Sequence, residues 1–171
     1  MNETQQEQSF PREWRTHEWT PPSWVDPTPL AGLDGLGQLH ALTRGEMPPP
    51  PVMSLVGMTS FEAEFGKVVV EMPAAEFHYN PLGSVHGGVI STLLDTAAGC
   101  SVHSTLAVGE MYTSLDLTVK FLRPVTVASG LLRCEGTVIQ RGRRTALAEA
   151  QLFDEAGKLL AHATSSCMIF S

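Results

Sequence analysis

The sequence predicts an α+β fold, with one long buried helix lying on a curved antiparallel sheet behind an N-terminal helical and irregular extension. Two observations carry this. The run from His86 to about Thr105 is apolar or small nearly all round, as a buried helix requires. Strand-like runs flank it, two before and four after, separated by tight turns and without an internal repeat. At 171 residues the chain is long enough for one domain with a substantial core.

The elements follow in order. Residues 1–29 hold three Trp and five Pro and no helical or strand period, so they read as an irregular arm whose Trp side chains pack on the body. Leu30, Leu33, Leu36, Leu39 and Leu42 recur on one stripe and predict a short helix over 30–44, ended by Arg44-Gly45. Glycines 32, 35 and 37 are not a phosphate loop, because no strand precedes them and no GK[ST] follows. Pro48–Pro51 predict a stiff connector. Residues 1–50 are thus arm and short helix, and residues 51–171 the main domain. Val52–Glu64 and Lys67–Met72 predict two strands joined at Phe65-Gly66, followed by a loop from Pro73 to Val85. After the long helix, strands are predicted at Thr113–Leu122, Gly130–Gln140, Thr145–Asp154 and Leu159–Phe170.

Composition excludes several classes. The chain is 43% apolar and 17% charged, unlike a disordered protein. No apolar run is long enough to span a bilayer, and the start lacks a basic segment followed by an apolar one, so neither membrane nor secretory signal is expected. Cys100, Cys134 and Cys167 are odd in number and widely spaced, which fits a reducing, cytoplasmic setting and gives no zinc pattern. The six histidines are scattered, and no metal site or cofactor is expected. A net charge of −7 disfavours nucleic acid. Residues 120–171, however, hold seven Lys/Arg against four Asp/Glu, which is either a solvated strand face of mixed charge or a basic patch for a phosphorylated small molecule.

Asp95 is the chemical outlier. It sits about two turns into the apolar helix with no Lys or Arg on that helix, and a buried carboxylate there is costly unless paired. The alternative is an Asp that faces solvent or caps a following helix start, and it cannot easily cap from mid-helix. Gly87-Gly88 opens the same helix, where the first N–H groups lack intrahelical partners and sit at the positive dipole end. They suit a carbonyl oxygen that gains negative charge, although a tight strand-to-helix turn explains glycine equally well. The Asn80 amide is placed to donate to the same carbonyl, or else to hold its own Asn-Pro turn. His86 polarises a substrate or is structural. Ser114 or Thr113 at a strand start offers a hydroxyl for water. No Cys/His pair or GxSxG elbow is present, which disfavours a Ser or Cys nucleophile.

The run Asn80-Pro81-Leu82-Gly83-Ser84-Val85-His86-Gly87-Gly88, followed by Leu93-Leu94-Asp95-Thr96-Ala97, resembles the hotdog thioesterases of the phenylacetate-pathway (PaaI) type. Thr113 to Pro124 looks like the family's third strand, and Arg141-Gly142-Arg143-Arg144 like a later turn. The resemblance covers residues 30–170 and implies a hotdog fold. It further implies a homodimer or dimer-of-dimers homotetramer with interfacial active sites, and an acyl-CoA substrate. In that pattern the Gly87 N–H, helped by Asn80, polarises the thioester carbonyl, with Gly88 and His86 beside it. Asp95 from the partner subunit is general base or nucleophile, and Ser114 orients the water. Arg141, Arg143, Arg144 and Arg123 are candidates to hold coenzyme A. Read from the residues alone, Leu82, Val85, Val89 and Met111 either line an acyl pocket or belong to ordinary core or interface. The arm before residue 30 is not part of the minimal hotdog. Two other readings are a hydratase-dehydratase using His86 and Asp95, and a non-catalytic acyl-CoA-binding module.

Overall fold

The computed structural model describes residues 11–171; the first ten residues of the arm lie outside them. Among the described residues there are three α-helices, α1 (Gly35–Thr43), α2 (Pro51–Val56) and α3 (Gly87–His103). The seven strands are β1 (Ser60–Glu64), β2 (Lys67–Pro73), β3 (Met111–Ser114), β4 (Thr118–Phe121), β5 (Leu131–Arg141), β6 (Thr145–Phe153) and β7 (Leu159–Phe170). They form one antiparallel sheet in the order β1-β2-β5-β6-β7-β3, with β4 also paired to β7.

Helix α3 lies in the curl of that sheet. Leu93, Leu94, Ala97, Ala98 and Val102 are buried against Val68, Val70, Met72, Leu132 and Leu152. Burying each leucine contributes roughly 1.5–3 kcal/mol. The approach is closest at β5, where a Cβ on Gly136 would stand 2.1 Å from the Ala97 carbonyl oxygen. Only a residue without a side chain lets the helix backbone settle this deeply onto the strand. The β1–β2 hairpin turns at Phe65-Gly66 as expected, Glu64 facing Lys67 in register and Gly66 holding φ at 75°.

Four sequence expectations are corrected. The first helix begins at Gly35, not at residue 30, because the Asp34 carboxylate caps it by accepting from the Gly37 N–H at 2.7 Å. Residues Pro51–Val56 form a helix instead of the start of a strand. Pro51 fits its first turn, and Gly57 ends it in the left-handed region at φ 84°. The strand expected over Thr113–Leu122 is two short strands. Between them the Asp116 side chain accepts from the Ser166 N–H at 3.0 Å, and its carbonyl accepts from the Ser165 hydroxyl at 2.8 Å. These bonds replace the ladder locally. Finally, Trp14, Trp19 and Trp24 are exposed. The arm is anchored instead by Arg15, which donates to the Ser54 and Leu55 carbonyls and lies over the Phe77 ring. A cation there complements the negative end of α2.

Candidate active site

The turn before α3 is tightly specified. Asn80 Oδ1 accepts from the Leu82 N–H at 2.9 Å, and Asn80 Nδ2 donates to the Ser84 hydroxyl at 3.2 Å. The side chain therefore braces its own loop, the second of its two expected roles. His86 is the N-cap of α3, and its Nδ1 accepts from the Gly88 N–H at 2.9 Å. That bond sets the orientation of the ring and uses the Gly88 donor. Among the described residues nothing accepts a hydrogen bond from the Gly87 N–H. Of the two glycine donors only Gly87 is unclaimed.

Gly87 faces a cavity of about 400 Å³ whose walls include Asn80, Ser84, Phe121 and Arg123. A Cβ on Gly87 would meet the Phe121 ring at 3.1 Å. Phe121, at the end of β4 opposite the helix start, reaches this site through a tertiary contact that leaves no local signal in the sequence. Arg123 reaches this cavity while donating to the Leu159 carbonyl. Arg141 is elsewhere, paired with Glu110, and Arg143 and Arg144 are exposed on the β5–β6 turn. The four basic candidates thus do not form one group around Gly87.

Asp95 is exposed in the single chain, which corrects the expectation of burial. Leu93, Leu94, Ala97 and Ala98 are apolar, but they point into the sheet, whereas Asp95 shares the opposite stripe with Ser91 and Thr92. The Ser114 hydroxyl lies 3.5 Å from Asp95 Oδ1, so strand β3 and helix α3 do bring these two expected residues together. Thr113, its rival, instead lies near the Ser114 carbonyl. Asp95 and Gly87 are separate. Eight residues along one helix place them about 12 Å apart.

The other titratable groups nearby are inert. Burial pushes the Cys100 thiol up to about 12, helped by the Asp95 charge, and burial also raises Cys134 and Cys167. Thiols so shifted are protonated at neutral pH and are poor nucleophiles. Burial lowers His78 and His103, keeping both imidazoles neutral. Among the described residues no three His, Cys, Asp or Glu side chains gather to hold a metal ion, and no helix is long and apolar enough to cross a membrane.

A long helix held in a curled antiparallel sheet, with its N-terminus opening on a cavity, is the hotdog fold of thioester hydrolases. The description "Thioesterase superfamily" matches residues 82–161. Acyl-coenzyme A thioesterase 13 of Homo sapiens is 30% identical over 105 residues, which are 61% of this chain and 74% of the relative. A phenylacetic acid degradation-related protein of Ralstonia eutropha aligns in three dimensions with TM-score 0.69 and 33% identity, covering 76% of this chain and 98% of the other. Escherichia coli PaaI shares the fold at TM-score 0.69 and 21% identity, covering 80% and 94%. The chain belongs to the thioesterase superfamily, and it is a thioester hydrolase of PaaI-like build.

Proposed function

We propose that the chain hydrolyses the thioester of an acyl-coenzyme A to the free acid and coenzyme A, as a homodimer or dimer of dimers with its active sites between subunits. The observation that carries this is the pairing of an unclaimed Gly87 N–H with an Asp95 carboxylate two turns away on the same helix. A thioester carbonyl accepts from the Gly87 N–H at the helix N-terminus, where the developing oxyanion is stabilised. Asp95 of a second subunit faces the other side of that carbonyl. It removes a proton from water held by Ser114, or attacks the carbonyl itself and is freed by water. The C–S bond breaks, and the thiolate leaves as the thiol after taking a proton. Asn80 and His86 hold the loop and the helix start, and the reaction needs no metal or redox cofactor. The similarity to a human acyl-coenzyme A thioesterase supports coenzyme A as the leaving group. Arg123, in the Gly87 cavity, is placed better than Arg141, Arg143 or Arg144 to meet its phosphates. The setting proposed is cytoplasmic.

Thiol release from aryl-, medium- and long-chain acyl-CoAs tests this reading with wild type and Asp95→Asn. Loss of a general base lowers kcat by about 10²–10⁴-fold. Turnover of none of the panel by wild type, or equal turnover by the variant, overturns it. Enoyl absorbance in place of thiol release would identify a hydratase, and tight acyl-CoA binding without turnover a binding module.

A further inference from the structure

A second cavity, of about 690 Å³, lies where the N-terminal extension faces β3 and the end of α3. Leu30 and Ala31 come from the extension, His103 from α3, Met111 and Tyr112 from β3, and Phe170 from β7. The minimal hotdog elements form only part of this wall.

Tyr112 connects this cavity with Asp95. On β3, Tyr112 and Ser114 alternate onto one face, their cross-strand partners Ile169 and Cys167 both being buried. Ser114 meets Asp95. The Tyr112 hydroxyl lies 2.8 Å from where a Cβ on Gly99 would stand, one helical turn past Asp95. One turn further, the His103 ring meets Tyr112 edge-on at 5.7 Å between centroids. Asp95, Gly99 and His103 form an i, i+4, i+8 stripe, and Tyr112 runs alongside it into the cavity. Among the described residues the Tyr112 hydroxyl has no hydrogen-bond partner of its own, unlike the Gln38, His103 and Glu110 side chains of the same wall.

The chemistry of the lining narrows the occupant. His103 is held neutral by burial, and its Nε2 is 2.9 Å from Gln38 Oε1. Glu110 is occupied by the Arg141 guanidinium and by the Ala107 N–H at 2.9 Å. Burial raises Tyr112, so its phenol is protonated. No side chain of the lining therefore presents an unpaired charge, while most of the surface is apolar. The volume lies within the roughly 300–1,000 Å³ of small-molecule pockets.

We propose that this cavity is the acyl-group pocket, that its occupant is an uncharged, mainly apolar acyl group longer than butanoyl, and that the extension at Leu30 and Ala31 sets the length accepted. This rests on the acyl-CoA reading above. Leu30→Trp and Ala31→Trp fill the pocket from a surface turn outside the core, and melting curves verify that both fold. Butanoyl-, octanoyl- and decanoyl-CoA are assayed with wild type and both variants. The decanoyl-to-butanoyl ratio of kcat/KM is expected to fall about tenfold or more, since a misfit of a few methylenes in an apolar pocket discriminates on that scale. An unchanged ratio in both variants overturns the pocket assignment while leaving the hydrolase reading intact. An unchanged ratio with an altered oligomeric state identifies the face as a contact between copies. Wild type that cleaves none of the three but cleaves thioesters of a carrier other than coenzyme A overturns the acyl-CoA reading itself, and wild type that cleaves aryl-CoAs alone overturns the chain-length assignment.

Discussion

Mixing two inactive variants tests whether the catalytic pair is split between subunits. Gly87 and Asp95 lie about 12 Å apart along one helix, while a reacting carbonyl must come within about 3.5 Å of each group or of the water one of them holds. The proposed site therefore takes Gly87 from one subunit and Asp95 from the other. Asp95→Asn removes an exposed carboxylate whose one recorded side-chain neighbour is the Ser114 hydroxyl at 3.5 Å, so the fold is little affected, by about 0.5 kcal/mol or less. Gly87→Val places a side chain against the Phe121 ring, 3.1 Å away at Cβ, and narrows the approach to the N–H. Phe121 is 54% exposed and has room to yield. Gly87→Val keeps the N–H but bars the carbonyl from it, which forfeits what one oxyanion donor supplies, about 10²–10³-fold, so each variant alone retains about 1% of activity or less. In a dimer of one chain of each kind, one site has the intact Gly87 and the intact Asp95, and the other site has both defects. Random 1:1 assembly makes half the dimers mixed, so the mixture recovers about one quarter of wild-type activity by the two-fold symmetry of the pair. The assay is thiol release after co-refolding, with sizing chromatography to confirm exchange. Activity equal to the mean of the two variants, with exchange demonstrated, refutes the split site.

Three further outcomes are expected. Gly136→Ala forces a methyl group into the Ala97 carbonyl at 2.1 Å, and the melting temperature should reveal a loss of about 3 kcal/mol or more. Acidification should destabilise the fold through His78 and His103. Their folded values lie below the ordinary 6.5, so the unfolded chain binds more protons as pH falls through that value. The contribution is complete above pH 6.5 and is lost on going lower, and His103→Asn should make the denaturant-midpoint profile shallower between pH 7 and 5. Arg123→Ala should raise KM for acyl-CoA by about tenfold, the worth of one charge-assisted bond. Arg141→Ala, which breaks a partly exposed pair with Glu110, should cost under about 1 kcal/mol of stability and leave KM nearer wild type.

Much of the architecture is legible in the sequence because periodicity and turn chemistry agree. Helix α3, the hairpin at Phe65-Gly66 and strand β7 fall where apolar spacing puts them. The misreadings arise where the two signals compete. In Pro51–Val56 the β-branched and apolar residues suggest a strand, yet proline at the first turn and glycine at the end specify a helix. At Asp116 a side chain substitutes for ladder bonds, which alternation alone does not reveal. The site is partly legible for the same reason. Gly87 and Asp95 stand out against their local composition, and Ser114 is found beside Asp95. The exposure of Asp95 is not legible from its sequence neighbours, because on a helix adjacent residues diverge by about 100°. Phe121 and the cavity under Leu30 depend on contacts between distant segments and leave no local trace.

The manner in which α1 meets the body bears on how the protein can be cut. Gly35 donates to the Leu106 carbonyl at 2.9 Å, Gln38 meets His103, and Leu39 belongs to the central core. The superfamily match begins only at residue 82. A fragment trimmed to that span would lack Val68, Val70 and Met72 beneath α3 as well as Leu39, leaving apolar surface uncovered. The span that the superfamily description matches and the span that buries its own core therefore have different limits in this chain. A shortened version for expression or crystallisation should retain everything from Arg15 onward.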